Sequence, residues 1–197
     1  MSKILEVRSA PEVRAIAESR TVEGYAALFN SRTELWPGMY EVIKPGAFKE
    51  ALKTSDVRAL FDHKSDKILA RTKSGTLQLW EDEIGLKYRF DSPNTTAGND
   101  LLVSLERRDI AESSFSFYMD GGREEWSRIE GGQLREIHAV GSVADISPVT
   151  YAAYTDTTAA KRSAEVRNAQ FEADQKPKYT GNENRSRLLD LYAKQLK

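Results

Sequence analysis

The chain has 197 residues, 40% of them hydrophobic, and a formal net charge of -1. That length fits one main domain with room for a tail, and the near-neutral balance supplies no global basic field for nucleic acid. Cysteine is absent, which excludes disulfides, thiolate metal sites and a cysteine nucleophile.

The N-terminus, MSKILEVRSAPEVRA, lacks the apolar core of a secretion signal. No 18-residue apolar run occurs, so no membrane span is expected and a soluble, intracellular setting is. VRAIAESRTVEGYAALFN reads as two strands around a polar break, and NSRTELWPGM as a loop punctuated by Pro-Gly. MYEVIKP is a short strand, and AFKEALKT one or two helical turns. DVRALFDH alternates, with Val57, Ala59 and Phe61 on one face, which puts His63 at or just past a strand end. TLQLW and GLKYRFD form a hairpin in which Leu77, Leu86, Tyr88 and Phe90 fit period two.

The period then changes. Leu101, Leu102 and Leu105 with flanking charges fit an amphipathic helix. AESSFSFYM returns to strand, with Ser114, Ser116 and Tyr118 on one face and Phe115, Phe117 and Met119 on the other. REEWSRIEGGQLREIHAV is a hairpin through Gly131 and Gly132, and VADISPV a further strand. The sum is a mostly β protein with peripheral helices, its roughly seven strands expected to form a closed or nearly closed antiparallel barrel.

Character changes near Thr158. Residues 161–197 carry nine Lys or Arg and five Asp or Glu, a net of about +4 that leaves about -5 on the rest. The domain is therefore drawn as 1–160, followed by a basic polar tail at 161–197. Near its end Leu188, Leu189, Tyr192 and Leu196 share one helical stripe. The tail is either a flexible extension or a docking or removable segment.

Three residue types invite chemistry. A serine becomes a nucleophile only with a base in hydrogen-bond reach, and the chain has two histidines, His63 and His138. Such a base needs an orienting partner, and Asp145 is an acid embedded in an apolar strand, where a carboxylate normally needs a partner. Asp62 adjoins His63, but neighbours on an extended strand point to opposite faces, which makes it a poor orienter. Each residue also has an ordinary reading, as a strand-face serine, an exposed histidine or an edge-strand acid. No phosphate loop, HExxH, calcium loop or G-x-S-x-G elbow is present, and neither metal nor cofactor is expected.

Taken in order, VEGYAALFN, YEVIKPGAF, DVRALFDHKSDKILARTKSGTLQL, DLLVSLERRDIAESSFSF and DISPVTYAAYTDT resemble the prohead proteases of tailed double-stranded DNA bacteriophages. The resemblance runs from about Thr21 to Thr158. It implies a serine endopeptidase with a fold like that of the herpesvirus assembly proteases. Such an enzyme works inside the prohead, in the host cytoplasm. It cleaves the scaffolding region of the major capsid protein, or a separate scaffold protein, and itself. No nucleic-acid or membrane partner is implied, and a homodimer is expected by analogy.

Carried over residue by residue, FDH makes His63 the base and SFSF makes Ser114 the nucleophile. The acid before Ser-Pro-Val makes Asp145 the third member, with His138 the alternative, because the herpesvirus relatives use a second histidine. Glu112 and Ser113 stand where the family often has Gly and Met. Ser113 faces away from Ser114, while Ser116 shares its face roughly 6.6–6.8 Å along the strand and is the alternative nucleophile. A turn near residues 147–149 is the expected source of oxyanion donors. The rival reading is a non-enzymatic scaffold- or capsid-binding β-domain.

Overall fold

The computed structural model describes residues 4–10, 13–16, 19–151 and 169. The expected tail helix falls outside them, as does all of 161–197 except Ala169. The elements below belong to the compact unit Met1–Ala164.

Three sheets account for thirteen strands among the described residues. The first has the order β1 (Leu5–Ala10), β10 (Glu112–Tyr118), β13 (Ser142–Val149), β6 (Arg58–Phe61) and β7 (Lys64–Arg71). The second runs β11 (Arg123–Ile129), β12 (Gly132–Ala139), β5 (Met39–Ile43) and β4 (Thr33–Trp36). The third runs β2 (Val13–Ala15), β3 (Thr21–Leu28), β9 (Gly85–Asp91) and β8 (Leu77–Glu81). Two helices complete the set: α1 (Ala51–Thr54), a single turn, and α2 (Thr96–Glu106). Thr95 caps α2, its hydroxyl accepting from the Gly98 amide at 3.2 Å.

The mostly β composition is as expected. The expected closed or nearly closed antiparallel barrel of about seven strands is not confirmed: among the described residues the ladders make three sheets that are not closed into a barrel. Two pairings are parallel, β12 with β5 and β13 with β6. β4 occupies part of the expected loop, and Pro37-Gly38 turns the chain between β4 and β5, with Gly38 at φ 80°. β7 reads KSDKILAR and has no period-two signal, because it ends its sheet and is exposed over most of its first half.

The core explains the aromatic face of β10. Phe115 and Phe117 are fully buried, stacked with centroids 5.1 Å apart, and Phe48 meets Phe115 edge-on at 5.5 Å. Neighbouring Ser113 turns the other way from Ser114 and hydrogen-bonds the buried Tyr88 hydroxyl at 2.6 Å. The opposite face of β10 is buried too, so its serines do not face water.

A buried ion network ties the first sheet to the second. Arg135, fully buried on β12, donates to Glu6 at 2.6 Å and Glu41 at 2.8 Å, and to Glu124 at 2.7 Å. Arg8 donates to Glu41 at 2.5 Å and to Glu6 at 3.0 Å. Burial pushes the Arg135 guanidinium toward losing its proton, but the charges of Glu41 and Glu6 outweigh that and hold it on more firmly than usual. Nothing in the hydrophobic pattern announces this cluster.

Candidate active site

The middle strands of the first sheet position most of the site. β10 and β13 are antiparallel neighbours with Ser114 opposite Ser147 and Ser116 opposite Asp145. Alternation along both strands therefore gathers four polar side chains on one face. The fifth arrives from the hairpin between β6 and β7. Phe61 pairs with Lys64, leaving Asp62 and His63 as the two turn residues. Both have left-handed backbone, at φ 53° and 56°.

The imidazole of His63 bridges the two strands. Its Nε2 lies 2.7 Å from Ser114 Oγ and its Nδ1 2.5 Å from Asp145 Oδ1. A hydrogen on Nδ1 satisfies the carboxylate and leaves Nε2 free to accept from the serine; this tautomer is assigned from the hydrogen-bond pattern. The Ser114 hydroxyl has a second acceptor in reach, the Arg8 carbonyl at 2.9 Å on β1. One proton cannot serve both, so base chemistry requires the rotamer that points to Nε2.

Asp145 is held from several sides. Ser116 donates to its Oδ2 in a short bond, and Ser147 donates to its Oδ1 at 3.0 Å. Ser147 Oγ also accepts the His63 backbone amide at 3.3 Å. Burial pushes the Asp145 carboxyl up, but the hydrogen bond and charge of His63, joined by the two serines, outweigh it and hold the group below its ordinary value. The carboxylate is thus buried, ionised and satisfied, the state an imidazole-orienting acid needs.

Ser114, His63 and Asp145 are brought together. Ser116 stands beside them, but its hydroxyl is given to Asp145. His138 is elsewhere. It lies on β12 in the second sheet, with Nε2 3.7 Å from Glu125 and without a hydrogen-bond partner. Residues 147–149 belong to β13 and not to the expected turn. The Pro148 carbonyl there accepts the Asp62 amide at 3.1 Å. Ser147 was legible only as part of the Ser-Pro-Val motif; its link to His63 needs the strand pairing.

Among the described residues, one group could offer ligands to a metal: Glu125, Glu136 and His138, with ligand atoms within 4.8 Å of one another. Lys44 already holds Glu136 at 2.6 Å, and the group lies on a different sheet from the serines.

This hydrogen-bonded row of hydroxyl, imidazole and carboxylate is the geometry of acyl-transfer chemistry. A family model described as caudovirus prohead serine protease matches residues 5–171. The chain belongs to that family. It is accordingly a serine protease of bacteriophage capsid maturation. Among solved structures, the chain is similar to the bacteriophage T4 capsid assembly protease, gp21. The two are 9% identical with a TM-score of 0.49, over 76% of this chain and 99% of that one. No curated protein sequence matches the chain. No helix among the described residues of this prohead-protease family member is long and apolar enough to cross a membrane.

Proposed function

We propose that Ser114, His63 and Asp145 are the catalytic triad of an endopeptidase. It cuts the scaffolding region of the phage major capsid protein, or a separate scaffold protein, and its own chain. It acts inside the prohead, in the host cytoplasm. The observation that carries this reading is the unbroken bond chain from Ser114 Oγ through both ring nitrogens of His63 to the Asp145 carboxylate.

The chemistry follows from those contacts. Ser114 Oγ bonds to the scissile carbonyl carbon while its proton passes to His63 Nε2. Asp145 keeps the Nδ1 proton in place and stabilises the imidazolium. The tetrahedral intermediate collapses, the carbon–nitrogen bond breaks, and His63 returns the proton to the departing amine. Water then gives its proton to His63 as its oxygen attacks the acyl-enzyme; the ester carbon–oxygen bond breaks, the acid leaves and His63 returns that proton to Ser114 Oγ. Ser116 and Ser147 hold the Asp145 carboxylate and are positioning residues.

Ser114 is 0% exposed. Substrate entry therefore has to displace a neighbouring group, and the Ser114 contact with the Arg8 carbonyl has to break before the proton can travel to His63. The test is coexpression with the phage major capsid protein, comparing wild type with Ser114→Ala by intact mass. Discrete cleavage in the wild type alone is expected, and the masses locate the cut sites. A scaffold- or capsid-binding β-domain without activity gives uncut capsid protein in both samples. Equal cleavage in both removes Ser114 from the nucleophile role.

A further inference from the structure

The residues around His63 do more than carry its side chain. A two-residue hairpin turn with positive φ at both positions is the type that favours Asn-Gly or Asp-Gly, because left-handed backbone is costly for residues with a Cβ. Here the second position is a histidine. Such strain persists only where the surroundings over-determine it, and the end of β13 supplies the restraints.

The Asp62 amide donates to the Pro148 carbonyl at 3.1 Å. The His63 amide donates to Ser147 Oγ at 3.3 Å. The Asp62 carboxylate then accepts twice from one residue, from the Thr150 amide at 2.7 Å and the Thr150 hydroxyl at 2.9 Å. Asp145, Ser147, Pro148 and Thr150 thus act along one stretch of chain, and each meets a different atom of the Asp62-His63 turn.

The geometry points to Asp62, locked by Thr150, as a positioning residue for the protease reaction: it holds the strained turn that aims His63 between Ser114 and Asp145. The inference rests on the triad reading above. It also reverses the sequence expectation for Asp62, which assumed an extended strand with opposed side chains. In a left-handed turn the aspartate works through the backbone and never needs to share a face with the imidazole.

The test uses the full 197-residue chain and a fluorophosphonate probe that labels an activated serine. Asp62→Ala is expected to lower the maximal labelling rate about 10- to 100-fold, the scale of a roughly 1 Å misplacement at a reacting group. Probe affinity should change by less than about twofold, since the probe's binding contacts are untouched. The proton resonance of His63 Nδ1–H is expected to be sharp in the wild type and to broaden or vanish in this variant. Asp62→Asn should restore both signals, because its side-chain oxygen still accepts from the Thr150 amide and its NH2 can donate to the Thr150 hydroxyl. A merely structural role would lower thermal stability without this split or this rescue.

Wild-type labelling and an intact Nδ1–H signal in Asp62→Ala overturn the inference. Should that variant fail to fold, Thr150→Val removes only the hydroxyl donor; a reduced labelling rate supports the inference and a wild-type rate overturns it. His63→Ala is run in parallel. Wild-type labelling there sinks the triad reading and the positioning role together. Abolished labelling there, with full activity in Asp62→Ala, sinks the positioning role alone.

Discussion

Asp145 accepts from His63, Ser116 and Ser147, and its folded-state pKa is depressed below the ordinary carboxylate value. A depressed carboxyl contributes stability that is complete above its unfolded pKa and is lost as pH falls through the folded one. The stability gap between wild type and Asp145→Asn should therefore be constant at neutral pH and shrink only below about pH 4, as thermal melts across pH will read. Asp145→Asn should also lower activity by about 10⁴-fold through the wrong imidazole tautomer, the size of effect known for a triad acid. Ser116→Ala removes one donor from a charged acceptor, a bond of about 1.5–3 kcal/mol, so activity should fall roughly 10- to 100-fold and not vanish. Complete loss in Ser116→Ala beside undiminished activity in Ser114→Ala would instead make Ser116 the nucleophile. Ser114, His63 and Asp145 were each legible as candidates, since serines alternate on an aromatic strand, histidine occurs only twice and an acid interrupts an apolar strand, but their choice as a set came from the family resemblance. The part played by Asp62 was not legible, since the two positive-φ residues carry no glycine to mark them.

Elements inherit their reliability from the packing behind them. β10 is readable because Phe115 and Phe117 fill the core on one face while Ser114 and Ser116 alternate on the other. Phe117 stacks on Phe115, and Phe117→Ala should cost about 3–5 kcal/mol by leaving a cavity, measured by denaturant unfolding. A loss below about 1 kcal/mol would mean that the site collapses freely around the gap. Gly85 on β9 faces a second constraint: a Cβ there would stand 2.0 Å from the Ala27 carbonyl oxygen. Gly85→Ala should therefore part β9 from β3 and destabilise by about 1–3 kcal/mol, with hydrogen exchange rising first in that pair. The hairpins β8–β9 and β11–β12 were legible from alternation and turn residues. β4 and β7 were not, being short or polar strands at sheet edges whose pairing partner supplies the only reason to be extended.

The whole molecule depends on long-range choices that local pattern does not encode. Neither parallel pairing, β12 with β5 or β13 with β6, follows from period or turn chemistry, and the separate sheets result from partners distant in sequence. The same holds for the Glu6, Arg8, Glu41, Glu124 and Arg135 cluster, drawn from β1, β5, β11 and β12. Removing one partner of such a buried set strands the others, at about 3–5 kcal/mol. Arg135→Met should lose stability on that scale in denaturant unfolding, and more than Arg14→Met, whose pair with Glu23 lies at the surface. Equal losses would show that the buried network contributes no more than an exposed pair. The most direct test of the account is to label the full chain with a fluorophosphonate and map the adduct by peptide mass. One adduct on Ser114, absent in His63→Ala and in Asp145→Asn reduced to a trace, is the predicted result. An adduct on Ser113 or Ser116, or undiminished labelling of Ser114 without His63, would contradict it.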